Sequence, residues 1–431
     1  MSLSPQDADA HNNLGITLKD TGRFDEAERS YLCAISLRPN YAEAYNNLGN
    51  LLQQLGRLDQ SAENYMEALT FEPTYAQVHS NLGVTFTLLG RLDEAEARCR
   101  QAIALRPDYV EAYINLGQTL KELGRLEEAV AIISQALMLR PDYAVGHHNL
   151  ALTLQQLDRL PEAESSYLRA LELDNNYTEC RNNLLRCLYL LEKESLFFDQ
   201  LDFLINHDEV NALIGSLTCR SELKYGVKKQ NLFCRAPLGF VSHVNLNTQY
   251  QFDEIFVANV KSILSNNRIS NRKQGLLING YQTSGNIFAI ENELTISIEK
   301  VIRLEIEKYR LNFKDSNEGF IREWPADYNV YGWLVSMSSG GELKPHIHSG
   351  SWISGSIYIN VPPKSNANSG NLVVSIGDDK DPADIRLNLR NIIDVVTGSL
   401  VLFPGSITHY TIPFESDQER VVLAFDIIKN E

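Results

Sequence analysis

A period of 34 residues runs through the first half of this 431-residue chain, and it constrains the fold more than any other feature. Asn13-Leu14-Gly15 returns as Asn47-Leu48-Gly49, Asn81-Leu82-Gly83, Asn115-Leu116-Gly117, Asn149-Leu150-Ala151 and Asn183-Leu184-Leu185. Pro5, Pro39, Pro73, Pro107 and Pro141 keep the same step, as do Ala27, Ser61, Ala95, Ala129 and Ala163, and Ala34, Ala68, Ala102, Ala136 and Ala170. The small residues let a second helix approach a first, Gly22, Gly56, Gly90 and Gly124 fall in the turn between them, and proline opens the next unit where its missing N–H does no harm. One such helix–turn–helix cannot bury its apolar face alone, so copies stack into a superhelix with a concave groove that serves interaction. Asn175 stands where proline is expected and Leu185 where glycine is, which predicts a degenerate last unit acting as a cap or junction.

Over about residues 5–190 these positions closely resemble the tetratricopeptide repeat, whose period is the same. The recurring asparagine, at Asn13, Asn47, Asn81, Asn115, Asn149 and Asn183, resembles that of the repeat array in O-linked N-acetylglucosamine transferases. That likeness implies that the amide faces the groove, where it can donate to and accept from a peptide backbone. The plainer alternative is a solvated asparagine that happens to be common there. Nothing of a nucleotide-sugar domain is identifiable in the rest of the chain. The expected organisation is a repeat array over 1–190, a helical linker or cap over 191–235 and a second domain over 236–431. Within the linker, Phe197–Leu204 has helical spacing of apolar residues, suiting a hinge or ordinary packing.

The last two hundred residues change character. An amphipathic helix over Glu291–Arg310 precedes short segments rich in β-branched and aromatic residues: Val330–Met337, Gly355–Val361, Asn371–Ile376, Ser399–Phe403 and Val421–Ile427. Many short strands in one domain predict a sandwich or jelly-roll barrel, with the helices before it bracing one sheet. The fold class expected for the whole chain is therefore multidomain, an all-α superhelix followed by that barrel.

Charge and cysteines narrow the function. With 39 Lys+Arg against 55 Asp+Glu the formal net charge is 39 − 55 = −16, which gives no long-range attraction for nucleic acid or anionic lipid. The first residues lack a basic head and apolar run, and no apolar stretch reaches the ~20 residues that span a bilayer. The six cysteines are scattered without metal-ligand spacing or a disulfide framework. The expectation is a soluble, cytoplasmic protein with no nucleic-acid or membrane partner.

Three histidines stand out in the strand-rich part. In Lys344-Pro-His-Ile-His-Ser-Gly350, strand residues i and i+2 share a face, so His346 and His348 can converge on one cation. His409 follows Gly398-Ser-Leu-Val-Leu-Phe-Pro-Gly-Ser-Ile-Thr, at the end of a strand entering a turn. A His-x-carboxylate pair with a distal His is the facial triad of non-haem iron oxygenases, but here the middle residue is histidine. A hairpin would fold Arg420 back beside His409, facing the interior with Val422 and Ala424. A buried guanidinium needs an anion, and a carboxylate fits its fork, as the distal carboxylate of 2-oxoglutarate would. An ion pair with Glu415 or Asp417 is the plainer reading.

His346-x-His348, Ser354-Gly-Ser-Ile-Tyr358, Gly398-x-Leu-x-Leu-Phe-Pro404, His409 and Arg420 together resemble the 2-oxoglutarate/Fe(II)-dependent oxygenases of the prolyl-hydroxylase-like superfamily. They resemble in particular a His-x-His subgroup often fused to tetratricopeptide repeats. The likeness covers about residues 280–428, with Tyr281-Gln-Thr283 and Tyr331-Gly-Trp333 as weaker signs. It implies a double-stranded β-helix of cupin-like form with supporting helices, in which His346, His348 and His409 hold Fe(II) and Arg420 binds 2-oxoglutarate as co-substrate. Tyr358, two strand positions from Ser356 and Asn360, is expected to point into the same pocket and hydrogen-bond the co-substrate. Trp333 and Trp352 suit either a substrate wall or core packing. Gly370 serves a turn. Histidine at 348, where the wider superfamily usually has aspartate, leaves the site one negative charge short. The implied activity is hydroxylation, with the repeats recruiting a protein or peptide. The alternatives are a non-catalytic peptide-binding adaptor with a degenerate barrel, and a three-histidine dioxygenase that uses no 2-oxoglutarate.

Overall fold

The structure, a computed structural model, describes residues 7–265, 271–272, 275–289, 293–377 and 389–430; Pro5 and Glu291 lie outside them. Two compact units divide at Cys187/Leu188.

The first unit is a run of antiparallel helix pairs: α1 (Ala8–Asp20), α2 (Phe24–Leu37), α3 (Ala42–Gln54), α4 (Leu58–Phe71), α5 (Ala76–Leu88), α6 (Leu92–Leu105), α7 (Val110–Glu122), α8 (Leu126–Leu139), α9 (Ala144–Gln156), α10 (Leu160–Leu173) and the start of α11 (Thr178–Leu190). Ala27, Ala34 and their repeats are fully buried between helices. The glycine after Asn-Leu in the first four units is a second close approach, since a Cβ on Gly15 or Gly49 would sit 2.5 or 2.6 Å from the ring of Tyr31 or Tyr65. Gly22, Gly56, Gly90 and Gly124 adopt φ near +75° in the turns. Asp158 and Glu192, the next two positions at this step, take the same left-handed conformation at φ +59° and +56° without glycine. Stacking therefore holds the turn against a cost of roughly 1–2 kcal/mol per non-glycine residue.

The phase also outlasts the motif. The second unit contains the end of α11, then α12 (Glu194–Asn206) and α13 (Ala212–Tyr225), whose first residue lies one 34-residue step after that of α11. The stretch expected as a linker thus continues the helical register, and Ala212, Phe233 and Cys234 enter the core of the second unit.

Among the described residues that unit holds α14 (Asn259–Leu264), α15 (Glu293–Asn312), α16 (Gly319–Arg322) and ten strands: β1 (Ser242–Asn245), β2 (Asn271–Arg272), β3 (Leu277–Thr283), β4 (Tyr328–Leu343), β5 (Ile353–Asn360), β6 (Leu372–Ser375), β7 (Arg390–Ile393), β8 (Ser399–Pro404), β9 (Thr408–Thr411) and β10 (Arg420–Lys429). The larger sheet runs β1-β8-β5-β10-β4-β3-β2 and the smaller β7-β6-β9, all observed pairings being antiparallel, as a jelly roll requires.

Side-chain alternation divides the faces. Val421, Leu423, Phe425 and Ile427 of β10 join Ile298, Ile302 and Ile306 of α15 in one core, so this helix braces the outer face. Val422 packs inward with Tyr358, Leu372 and Phe403. Trp352 belongs to the α15 side, its Nε1 donating to the Phe320 carbonyl at 2.7 Å; it is core rather than substrate wall.

Candidate metal centre

His346 and His348 sit in the loop between β4 and β5 rather than on a strand. What fixes them is an isolated antiparallel bridge, in which the His346 N–H donates to the His409 carbonyl at 3.2 Å and the His409 N–H to the His346 carbonyl at 2.9 Å. His409 lies in β9 of the smaller sheet, not at the end of β8. The three imidazoles, far apart in sequence, come together with one ligand nitrogen each, all within 4.8 Å of one another.

The hydrogen bonds orient the rings. Nδ1 of His346 lies 2.8 Å from the Lys344 carbonyl, Nδ1 of His348 2.7 Å from Asp426 Oδ1, and Nδ1 of His409 3.4 Å from the Ile407 carbonyl. These partners are acceptors, so each Nδ1 carries the proton and each Nε2 keeps a lone pair. Nε2 of His346 and Nε2 of His348 nevertheless face one another at 3.0 Å. Two lone pairs at that distance repel unless a cation lies between them. Nitrogens at right angles around an ion, each about 2.1 Å away, are about 3.0 Å apart. The residues therefore fit a divalent metal. Burial, reinforced by His348, holds His346 down to about 4, and burial pushes His409 well below the ordinary range, so both are neutral donors at neutral pH.

Arg420 opens β10, and its side chain is completely buried. Strands β9 and β10 belong to different sheets, so the expected hairpin is a crossover between sheets. The guanidinium meets neither Glu415 nor Asp417 in an ion pair among the described residues. Its Nη1 donates to the Gly370 carbonyl, and Gly370, at φ +71°, leaves no room for a side chain, because a Cβ would lie 2.7 Å from that nitrogen. Arg420 Cζ lies 5.0 Å from the centre of the Tyr358 ring. Burial pushes the Arg420 guanidinium below its ordinary value, only partly offset by the nearby Tyr358 hydroxyl, and its Nε and Nη2 are buried without hydrogen-bond partners. Buried cationic donors in that condition are costly, and an anion would satisfy them.

A cavity of about 410 Å³ opens on the histidine cluster, lined by the three histidines, Trp333, Tyr358 and Asp426 among others. Arg420 is not itself a lining residue; Tyr358, beside its guanidinium, is. Sequence reasoning missed Asp426 and gave Ser354 no role, although Ser354 Oγ lies 2.8 Å from Asp426 Oδ1. The alternation that places Arg420, Val422 and Ala424 on one face reaches Asp426 at the next step.

In the first unit the recurring asparagines bridge neighbouring repeats. Asn47 Nδ2 donates to Asn12 Oδ1 at 3.0 Å, Asn81 to Asn46 and Asn50 at 3.1 Å each, and Asn115 to Ser80 Oγ at 2.9 Å. Asn149 donates instead to the Val145 carbonyl of its own helix, since Ile114 occupies the corresponding position, and accepts from Gln118 at 2.9 Å. Asn183 Nδ2 lies 3.1 Å from His148 Nε2, while Asn13 is exposed.

Residues 331–426 match the model of the family described as "Putative 2OG-Fe(II) oxygenase". Tetratricopeptide-repeat models match residues 6–71, 86–152 and 144–177. Among solved structures, the chain is similar to pilF of Pseudomonas aeruginosa at 20% identity, covering 46% of this chain and 90% of that one with a TM-score of 0.41. It is also similar to a thermophilic TPR protein in Thermus thermophilus, at 25% identity over 42% of this chain and 100% of that one, with a TM-score of 0.39. No curated protein matches the chain.

Proposed function

We propose that this tetratricopeptide-repeat protein, whose C-terminal domain is of the 2OG-Fe(II) oxygenase family, is an Fe(II)- and 2-oxoglutarate-dependent hydroxylase acting on a protein or peptide that its repeats recruit. The observation that carries this reading is the pairing of the two Nε2 lone pairs at 3.0 Å, which call for a cation, with a buried guanidinium whose Nε and Nη2 call for an anion. His346, His348 and His409 would hold the iron. When bound, Fe(II) supplies the redox chemistry by which oxygen converts the 2-oxo acid to succinate and carbon dioxide and one C–H bond to C–OH.

The chain's own residues do the rest. Burial keeps His346 and His409 unprotonated and ready to donate. Arg420 takes the distal carboxylate through its fork, with the Tyr358 hydroxyl as a second donor. The ring of Trp333, whose centre is 5.5 Å from that of His348, walls the cavity and limits water beside the ligands. In the repeats, Asn47, Asn81 and Asn115 spend their amide N–H on neighbouring units and retain Oδ1 as an acceptor for a peptide N–H. Among the described residues no helix is long and apolar enough to cross a membrane.

The test is metal analysis of the purified full chain with a 2-oxoglutarate turnover assay in air. Iron retention with succinate release supports the hydroxylase. Oxygen uptake indifferent to 2-oxoglutarate would favour a three-histidine dioxygenase, and failure to hold any metal would leave a peptide-binding adaptor.

A further inference from the structure

We infer that Asp426 is a positioning residue that completes the metal centre from outside the ligand set, supplying the negative charge that three neutral imidazoles lack and locking His348 in its donor tautomer. This rests on the metal-centre reading above and adds a fourth member to it.

Three observations converge. First, the hydrogen-bond acceptors behind the rings are not alike. His346 and His409 meet main-chain carbonyls, whereas His348 meets a carboxylate at 2.7 Å. A carboxylate behind an imidazole draws the Nδ1 proton toward itself and makes Nε2 the stronger donor. Second, that carboxylate is held. Ser354 Oγ lies 2.8 Å from the same Oδ1 and 3.2 Å from Ser351 Oγ, whose own proton goes to the Ile353 carbonyl at 2.7 Å. Ser354 is opposite Asp426 in the β5–β10 register, so backbone pairing brings the hydroxyl to the carboxylate. Third, charge has to be balanced. A divalent ion among three neutral nitrogens in a largely buried site is poorly solvated, and an anion one imidazole away offsets part of that cost. Asp426 lines the same cavity, and among the described residues its carboxylate is the one that pairs with any of the three rings.

The consequence is a division of labour. Nitrogen supplies all three protein ligands, while the anionic charge reaches the metal through the ring of His348. The arrangement predicts that removing the charge and removing the hydrogen bond have separable effects. Asp426→Asn keeps an oxygen to accept from Nδ1–H but loses the charge; Asp426→Ala loses both, leaving the ring of His348 free to turn.

The experiment uses the full chain stripped of metal and titrated with Co(II) under argon, followed by calorimetry and by the ligand-field absorption of the bound ion. Asp426→Asn should weaken binding about tenfold and Asp426→Ala about a hundredfold, the range expected for partners of metal-bound histidine. The Co(II) absorption should change in Asp426→Ala more than in Asp426→Asn. Thermal melts of the metal-free variants identify any loss that comes from unfolding, and the near-isosteric Asp426→Asn keeps the test decisive if the alanine variant does not fold. Binding and spectra equal to wild type in a folded Asp426→Asn and Asp426→Ala would overturn the inference while leaving the three-histidine centre intact. Wild-type protein that binds no Co(II) would overturn the centre and the inference together.

Discussion

His148 in the repeats and His346 in the barrel are both held down to about 4 by burial, yet they are different kinds of residue. His148 has a partner on each side of its ring, the Tyr177 hydroxyl 2.8 Å from Nδ1 and the Asn183 amide 3.1 Å from Nε2. Its hydrogen-bonding capacity is spent inside the fold. The ring of His346 is satisfied only at Nδ1, and its Nε2 faces another Nε2. A lowered pKa therefore says that a ring is buried, and only the partner of the second nitrogen says whether the ring is structural or held ready for a ligand.

The largest expected effect separates the two directly. His409→Ala should bring succinate release to background and weaken Co(II) binding by more than about a hundredfold, since loss of a ligand exceeds loss of its hydrogen-bond partner. His148→Ala should cost about 2 kcal/mol of repeat stability and leave turnover intact, read by thermal melting and a succinate assay. If His148→Ala abolishes turnover as well, the contrast fails.

Acid should act on both sites alike in metal-free protein. With folded values near 4 and an unfolded value near 6.5, the unfolded chain binds more protons between those limits, so stability falls as pH drops from 6.5 toward 4. Each of the two histidines contributes about 3 kcal/mol to that loss, on the order of 1.36 kcal/mol per pH unit. Mn(II) should then split the pair: at pH 7 and a hundred times its dissociation constant it stabilises the barrel by about 2.7 kcal/mol and the repeats not at all, a difference that unit-resolved hydrogen exchange can measure.

A smaller effect is expected at the anion end. Arg420→Ala should raise the apparent KM for 2-oxoglutarate on the order of thirtyfold, about 2 kcal/mol, with Co(II) affinity nearly unchanged. Tyr358→Phe should raise the same KM only about threefold, the worth of one neutral hydrogen bond. Equal losses in the two variants would mean that Arg420 holds the fold rather than the co-substrate.

The two regions also differ in how much of them could be read from residues alone. The helix pairs are local, and a 34-residue step in small residues and turn glycines specifies them almost completely. Asp158 and Glu192 hide the turn because stacking, not glycine, holds their backbone. In the barrel, β5 and β10 announce themselves by apolar alternation, but β1, β7 and β9 are short strands with polar residues, and β1 and β9 are defined by the non-adjacent partners β8 and β6. The three histidines are legible by type and spacing, but strand alternation is the wrong reason for their convergence, since a loop tied by one β-bridge does what a continuous strand was expected to do. Asp426 lies within reach of the period-2 count from Arg420. Its meaning does not, because the partner that gives it a role lies 78 residues earlier.

The central claim is that three imidazoles meet at one ion, and X-ray absorption at the iron edge of the Fe(II)-loaded full chain tests it most directly. The account predicts a pattern fitted by three imidazole rings per iron, with nitrogens at about 2.1 Å, falling to two in His348→Ala. A fit with one ring or none, or a spectrum that His348→Ala leaves unchanged, would contradict it.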